Sequence, residues 1–260
     1  MAYTYGSYLR IDELLSLQTP ASGGAEHDEM LFIVIHQVYE LWFKQVLHEV
    51  DRLHLALVEG DRPMVMATLK RTLTILKTLV AQVDVLETMT PVSFNSFRGL
   101  LDSASGFQSY QFREVEVALG HRVPGLLERM PEGTTQRERI AARLARPGIY
   151  TAFLRFLERN GYAVPAELFA RDLSLPNPED ERVREVLVQI YKGDAVNRDV
   201  CERLVDLDEG LQEWRYRHVK MVQRTIGTKL GTGGSSGAEY LKNTLFQPLF
   251  PDLWTIRTAL

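Results

Sequence analysis

One of the six histidines, His218, lies in a helical stretch that leads directly into a glycine-rich loop. The stretch W-R-Y-R-H-V-K-M-V-Q-R-T-I begins at Trp214 and places His218 on the apolar stripe of a long helix. The segment G-T-K-L-G-T-G-G-S-S-G follows from Gly227 and holds five glycines in eleven residues. A neutral imidazole that faces inward from a long helix suits a metal ligand, and in particular the proximal ligand of a haem iron. The structural alternative is a core histidine with a single hydrogen-bond partner.

Two further side chains could complete a pocket around such a ligand. His36 lies in a second apolar helical stretch, one turn after Phe32. Inward histidines on two different helices favour a pocket with a ligand on each side. Arg98 follows Phe94 by one turn, and its planar guanidinium suits bidentate binding of a carboxylate. An arginine beside aromatic residues also occurs with its stem along the surface and its charge in water, so this alternative stays open.

Other site chemistries find less support in the residue types and their spacing. Zinc sites use clustered cysteines or an H-x-x-x-H pair, and this chain has one cysteine, Cys201, and no such pair. The loop after Gly227 lacks the spacing of a phosphate-binding loop, and no strand precedes it. It is therefore either a flexible connector or a lid that closes over a small molecule, with Thr232 supplying a hydroxyl.

The elements that must position these residues are helices. The segment from Asp28 to about Glu59 is apolar on more than one face, which predicts a central, buried helix. A long final helix is predicted from about Asn197 through Thr225. Other predicted helices run from Pro63 to Val83, Pro91 to Leu101, Gly106 to Leu119, Gln136 to Leu144, Ile149 to Asn160 and Asp180 to Lys192. No strand alternation of useful length occurs, so we predict an all-α fold, a single domain over 1–260 built from long packed helices.

Length and composition limit the classes of function. The chain has 260 residues, of which 45% are apolar and 25% charged, as in an ordinary soluble domain with a real core. The net charge of −4 provides no basic field for nucleic acid or an anionic membrane. Without a signal-peptide pattern or a run of 18 apolar residues, a cytoplasmic protein is expected. The single cysteine excludes an internal disulfide and a C-x-x-C-H haem attachment.

Five segments, in the same order along the chain, resemble the tryptophan 2,3-dioxygenase family. They are Y-G-S-Y-L-R-I-D-E-L-L from Tyr5, H-D-E-M-L-F-I-V-I-H-Q-V-Y-E-L-W-F-K-Q from His27, A-S-G-F-Q-S from Ala104, W-R-Y-R-H-V from Trp214 and G-T-G-G-S-S-G-x-x-Y-L ending at Leu241. The resemblance extends from about Tyr3 to Trp254. Several long motifs in matching order are far more specific than any one of them.

The resemblance implies an all-helical haem enzyme that is usually a homotetramer. Each subunit would bind one haem b, which is ferrous in the active form. The implied reaction inserts both atoms of O₂ across the indole C2–C3 bond of L-tryptophan to give N-formylkynurenine, the first step of the kynurenine route. No reductase domain is needed, because both oxygen atoms end in the product.

The resemblance also assigns roles to individual residues. His218 matches the axial haem ligand, His36 the distal histidine that accepts a hydrogen bond from the indole N–H, and Arg98 the ligand of the substrate carboxylate. The other matched positions are Phe32, Ile33, Val34 and Ile35 beside the indole; Ser105 at the haem; Gly231 and Thr232 in a lid over the substrate; and Tyr5, Tyr8 and Leu9 in an N-terminal arm, residues 1–20, that reaches a neighbouring subunit's pocket.

One departure from the family pattern lies near the implied carboxylate site. Phe94 stands where the family usually has a tyrosine, so a hydroxyl worth about 0.5–1.5 kcal/mol in a neutral hydrogen bond is missing. The alternative activity is a haem monooxygenase that forms an oxindole from tryptophan or a β-methyl-tryptophan. A helical haem sensor or carrier without turnover is the non-enzymatic alternative.

Overall fold

The computed structural model describes residues 2–102, 104, 106–229 and 241–260, apart from the Phe107 side chain. Over these ranges the chain folds into α-helices joined by turns and loops, and no β-strand occurs there. The all-α prediction is confirmed. The helices are α1 (Tyr5–Leu9), α2 (Ile11–Leu15), α3 (His27–Glu59), α4 (Arg62–Leu86), α5 (Pro91–Arg98), α6 (Tyr110–Leu119), α7 (Thr135–Leu144), α8 (Ile149–Arg159), α9 (Glu181–Gly193), α10 (Ala195–Ile226) and α11 (Pro251–Thr255). Short 3-10 turns cover Gly99–Leu101, Gly106–Gln108, Leu127–Arg129, Ala166–Phe169 and Ile256–Ala259.

The long helices α3, α4 and α10 form the centre of the fold. A tight connection at Gly60 and Asp61 joins α3 to α4: Gly60 takes the left-handed conformation that ends α3, with φ of 74°, and the Asp61 side chain caps the N-terminus of α4. α4 packs against α3 on one side and α10 on the other, while α6 and α8 cover further faces of α3. The prediction that α3 is central is therefore confirmed.

The core of this bundle is formed by leucines that are completely removed from solvent. One continuous apolar cluster includes Leu53 and Leu57 on α3, Leu69 on α4, and Leu204 and Leu207 on α10. Burying each such side chain contributes about 1.5–3 kcal/mol, so the central helices are fixed mainly by their apolar faces.

The chain after residue 240 returns to α10. The Asp208 carboxylate on α10 accepts hydrogen bonds from the backbone N–H groups of Leu249 (2.8 Å) and Phe250 (3.2 Å) and from the Trp254 indole (2.9 Å). Arg215, also on α10, donates to the carbonyl of Thr244 at 3.3 Å. One helix thus carries His218 and anchors the segment that follows the glycine-rich loop.

Most predicted helix boundaries lie within three residues of those observed, and one prediction is wrong. A single helix from Gly106 to Leu119 was expected, but Gly106–Gln108 is a separate 3-10 turn and α6 begins at Tyr110. The reason is a cap: the hydroxyl of Ser109 accepts a hydrogen bond from the Phe112 N–H, and Ser109 has extended backbone angles.

The N-terminal helices α1 and α2 contain no buried residue. They join the bundle through the Gln18 side chain, which donates to Gln37 on α3 at 2.6 Å, and through Gln37, which donates to the Leu17 carbonyl at 3.1 Å. Within the described ranges, none of the helices combines the length and the apolar composition that a bilayer-spanning segment requires.

Candidate functional site

A cavity of about 730 Å³ lies between α3, α5, α6 and α10, next to the end of α4. This volume is in the ~300–1,000 Å³ range of small-molecule and cofactor sites. Most of its lining is aromatic or aliphatic. The described charged residues in the lining are Glu40, Arg98 and Arg113.

His218 enters the cavity from α10. Its ring lies 5.0 Å from that of Trp214, one turn earlier, with the ring planes 32° apart. The His218 side chain is partly buried and lines the cavity. Burial, with the nearby Arg113 and His36, lowers the pKa of His218 to about 4. At neutral pH the ring is therefore uncharged and keeps a nitrogen lone pair for a metal ion.

His36 enters the same cavity from α3. Its Nδ1 atom lies 2.6 Å from the Phe32 carbonyl oxygen, one turn earlier. A carbonyl oxygen only accepts hydrogen bonds, so Nδ1 must carry the hydrogen in the neutral ring. Burial lowers the pKa of His36 and favours that neutral ring. Nε2 is then a hydrogen-bond acceptor.

Three phenylalanines form an aromatic wall beside His36. The rings of Phe32, Phe94 and Phe97 lie 5.5–5.8 Å from one another, and the Phe32 ring lies 4.1 Å from the His36 ring. Phe94 and Phe97 belong to α5, which Thr90 caps by accepting from the Ser93 N–H, as the T-P sequence predicts. The short helix thus carries the Phe94 ring to the cavity and ends at Arg98, whereas Phe97 is fully buried and does not line the cavity.

The charged side chains of the described lining come from three helices, α3, α5 and α6. The Glu40 carboxylate accepts from the Gln111 amide at 2.8 Å, and the Gln111 amide also donates to the Glu40 carbonyl at 3.0 Å. The Arg113 guanidinium is paired with Glu116 at 2.5 Å. Arg98, the last residue of α5, brings a second guanidinium to the described lining, and the planar fork of a guanidinium suits bidentate binding of a carboxylate.

The structure brings together five of the side chains singled out from the sequence. Phe32, His36, Phe94, Arg98 and His218 all line the one cavity, although they come from three helices.

Ile33, Val34 and Ile35 do not line the cavity. A helix turns by about 100° per residue, so the three positions between Phe32 and His36 point to other faces. Ile35 is buried in the core between helices, whereas the Val34 side chain is 39% exposed. That these three residues contact the ligand stays a prediction.

The remaining predicted positions lie elsewhere. Tyr5 and Tyr8 on α1 are 78% and 69% exposed, and Leu9 is also exposed; none of the three lines the cavity of its own chain. Ser105, Gly231 and Thr232 lie outside the described residues.

Several lining residues were not identified as site residues from the sequence. Tyr39 and Phe43 continue the stripe of His36, so helical periodicity was a signal for them. Phe112 and Arg113 carried no signal, because α6 reaches the cavity only through packing against α3. Trp214 joins these elements, with its ring 4.6 Å from Phe112 and 6.1 Å from Phe43.

The donor set fits a planar, largely apolar cofactor that brings its own metal. Among residues 2–102, 104, 106–229 and 241–260, no three His, Cys, Asp or Glu side chains converge as a metal cage would require. His218 offers an imidazole from α10, and His36 lines the same largely aromatic cavity from α3. A haem, held by one axial histidine in an apolar pocket, matches that arrangement.

Comparisons with known proteins agree with this geometry. A family profile described as tryptophan 2,3-dioxygenase matches residues 1–132 and 181–260. A protein of Herpetosiphon aurantiacus named tryptophan 2,3-dioxygenase is 56% identical over 259 residues, covering 100% of this chain and 99% of that protein. One of Anaeromyxobacter sp. (strain K) with the same name is 57% identical over 259 residues, covering 100% of this chain and 97% of that protein. A third, of Saccharopolyspora erythraea, is 42% identical over 260 residues and covers 99% and 92%.

Proposed function

This chain belongs to the tryptophan 2,3-dioxygenase family, and we propose that its cavity holds a haem through His218 and L-tryptophan beside His36. The reaction is the insertion of both atoms of O₂ across the indole C2–C3 bond, which opens the five-membered ring and gives N-formylkynurenine. All atoms of both reactants end in the product, so no external electrons are consumed. The observation that carries the proposal is that His36 and His218, from two helices, line one aromatic cavity.

His218 holds the iron by its neutral imidazole. Its lowered pKa means that the ring needs no deprotonation before it binds a metal at neutral pH. When bound, haem iron supplies an open coordination position at which O₂ is activated. The protein supplies the position of the substrate and a dry environment.

His36 orients the indole ring. Because Nδ1–H donates to the Phe32 carbonyl, the Nε2 atom accepts the indole N–H. The indole would then lie beside Phe32 and Phe94, which line the same cavity as His36. Such positioning of the reactants makes a bimolecular step effectively unimolecular.

Arg98 binds the substrate carboxylate at the other end of the amino acid. It is the last residue of α5, so it lies one turn from Phe94 and at the cavity wall. A bidentate guanidinium–carboxylate pair fixes both distance and orientation, which the Phe94 ring cannot do. Thr232 and Gly231 are proposed to close over the amino-acid end, as members of the loop after α10.

Assembly completes the proposal. Residues 1–260 form a single catalytic domain, and residues 1–20 are an arm that docks on a neighbouring subunit of a homotetramer. In support, α1 and α2 bury no residue in their own chain and leave Tyr5, Tyr8 and Leu9 exposed. An apolar segment of this kind stays ordered when it docks elsewhere.

Haem ligation is tested by absorption spectra of the purified, haem-reconstituted chain and of His218→Ala. We expect a five-coordinate, histidine-ligated ferrous spectrum that the variant loses. His48→Ala is the matched control, because His48 is an exposed histidine on α3 and its removal should leave the spectrum unchanged. A histidine-ligated spectrum that survives in His218→Ala would refute the ligand assignment.

The number of oxygen atoms is tested with ¹⁸O₂ and mass spectrometry of the product formed from L-tryptophan. Two labelled atoms in N-formylkynurenine are expected. A product with a single labelled atom and an intact indole-derived ring would identify a monooxygenase instead. Haem binding without any product would identify a sensor or carrier.

A further inference from the structure

A small gap in the protein interior borders His218. Its volume is about 10 Å³, and its walls include His218 and Arg215 on α10 and Glu116 on α6. Glu116 and Arg215 do not line the large cavity, whereas His218 lines both spaces. The imidazole is therefore next to two different environments, one of them large and mostly apolar and the other small and polar.

Glu116 brings an ionised acceptor to this gap. Its side chain is 4% exposed, and its two oxygens accept from Arg215 Nη2 at 2.9 Å and from Arg113 Nη1 at 2.5 Å. Burial by itself would raise the pKa of Glu116, but the two arginines outweigh it and keep the pKa below its ordinary value. Each carboxylate oxygen has more than one lone pair, so Glu116 can accept a further hydrogen bond.

Arg215 brings a buried donor to the same gap. The residue is 3% exposed, and its terminal nitrogens donate to Glu116 and to the Thr244 carbonyl. Its Nε–H has no hydrogen-bond partner among the described residues, an uncommon state for a buried donor. The described part of the chain also provides no hydrogen-bond partner for the His218 ring. One acceptor in the gap would satisfy both donors.

A single water molecule fits the gap in size and in chemistry. A buried water needs a space of about 10–15 Å³ and two to four polar partners, and the gap of about 10 Å³ is too small for a carboxylate or any larger group. The two lone pairs of a water can accept from Arg215 Nε–H and from the N–H of His218. One of its hydrogens can then bind Glu116.

Given the proposed function, on which this inference rests, we propose that one water in this gap links the axial His218 to Glu116. His218 uses one ring nitrogen for the iron and donates the N–H of the other to the water, which in turn donates to the carboxylate. Histidines that bind metals almost always donate their second ring N–H to a carboxylate, a carbonyl or a water, which fixes the ring and makes it a more basic ligand. Glu116 is thus a positioning residue that acts on His218 through the water.

The first test is a crystal structure of the haem-loaded full chain at a resolution that shows ordered waters. We expect one water within about 2.7–3.2 Å of the His218 nitrogen that does not bind the iron, and within the same distance of Glu116 and of Arg215 Nε. A gap without a water would overturn the proposal, and so would a His218 ring whose second nitrogen faces away from the gap. This test needs no variant, so it does not depend on the folding of one.

The second test measures the iron–histidine stretching frequency of the ferrous protein by resonance Raman spectroscopy. Glu116→Gln replaces the ionised acceptor by a neutral amide of similar shape. The His218 N–H is then less polarised, and the frequency should shift downward. Glu114→Gln is the matched control, because Glu114 lies on the same helix, is 3% exposed and pairs with Arg139. Its frequency should stay at that of the unsubstituted protein.

The form of the spectrum separates polarisation of His218 from a purely structural role of Glu116. A single band at lower frequency in Glu116→Gln supports the proposal. Loss of the histidine-ligated spectrum would mean that Glu116 only maintains packing, and a shift no larger than that of Glu114→Gln would mean that it does not polarise the ring; either result overturns the proposal. If Glu116→Gln does not fold, the crystal structure decides alone. A chain that binds no haem refutes the proposed function itself, whereas bound haem without the water refutes only this inference.

Discussion

The carboxylate site offers the sharpest prediction, because Arg98 and Phe94 can be changed separately and together. Arg98 is the lining residue assigned to the substrate carboxylate, and hydrogen bonds to charged groups contribute about 1.5–3 kcal/mol. Arg98→Leu should therefore lower kcat/KM for L-tryptophan by roughly 10- to 150-fold, at about 1.4 kcal/mol per factor of ten. Arg98→Lys keeps the positive charge but not the bidentate geometry of the guanidinium, so kcat/KM should fall less than in Arg98→Leu.

Phe94→Tyr restores a hydroxyl one turn from Arg98. The Phe94 ring already lines the cavity beside the Phe97 ring, so the added hydroxyl can occupy cavity space and need not displace side chains packed between helices. One neutral hydrogen bond to the carboxylate would contribute at most about 1 kcal/mol, or roughly a fivefold gain in kcat/KM. If the new hydroxyl instead points into the wall, it lacks a partner and the variant loses stability.

The assay compares L-tryptophan with tryptamine, which has the indole and the amine but no carboxylate. Any turnover or binding of tryptamine should be insensitive to Arg98→Leu, because the removed guanidinium has no partner on that compound. The Phe94→Tyr gain should likewise appear with tryptophan only. An Arg98→Leu variant that keeps full kcat/KM for tryptophan would refute the carboxylate assignment. An equal loss with both compounds would mean that Arg98 supports the pocket wall instead.

Three other predictions follow from the structure. Because the pKa of His36 is lowered, its acceptor nitrogen is protonated only at pH below the ordinary histidine value. We therefore expect kcat/KM to stay constant as pH falls to 6.5 and to decline below that pH. A decline that begins at higher pH would contradict the assignment of His36 as a neutral acceptor. Burial raises the pKa of Asp252 to about 6 in the folded chain, so the folded state takes up a proton between pH 6 and 4 that the unfolded chain does not. The free energy of unfolding should therefore increase as pH falls through that window. Asp252→Asn should flatten this increase in urea titrations, and an unchanged slope would show that the raised pKa is not present. Deleting residues 1–10 should reduce both assembly and turnover, as measured by light scattering and product formation, because α1 buries nothing in its own chain; a fully active monomer would rule out a docked arm.

Much of the fold was predictable because helix formation is governed by local patterns. The apolar stripe through Phe32, His36, Tyr39 and Phe43 repeats with helical spacing, so the sequence alone placed these side chains on one face of α3. Thr90 and Pro91 signal the start of α5 within a few residues of chain, and the cap is observed. The error at Gly106 had the same local origin, since the cap at Ser109 was not recognised.

The candidate site residues could also be identified from the sequence, but the sequence did not show that they line one cavity. A histidine on an apolar stripe has the same local pattern whether it binds a metal or packs in a core. Only the tertiary structure shows that His36, Arg98 and His218 line one cavity. The resemblance of long motifs supplied the roles, and the geometry of each side chain had to come from packing. Ile33, Val34 and Ile35 illustrate the limit, because they belong to the same motif as Phe32 and His36 but do not line the cavity of the isolated chain.

The sequence by itself determined the helical elements, the inward faces of α3 and α10, and the family to which the motifs belong. Only the tertiary structure decided that α6 packs against α3, that Arg113 reaches the cavity, and that Glu116 meets Arg215 across 99 residues of chain. The physical reason is that a helix face is set by neighbours three and four residues away, whereas a charge pair or a cavity wall depends on which distant faces pack together. The packing of the whole core determines which helix faces meet, and no short sequence pattern specifies it.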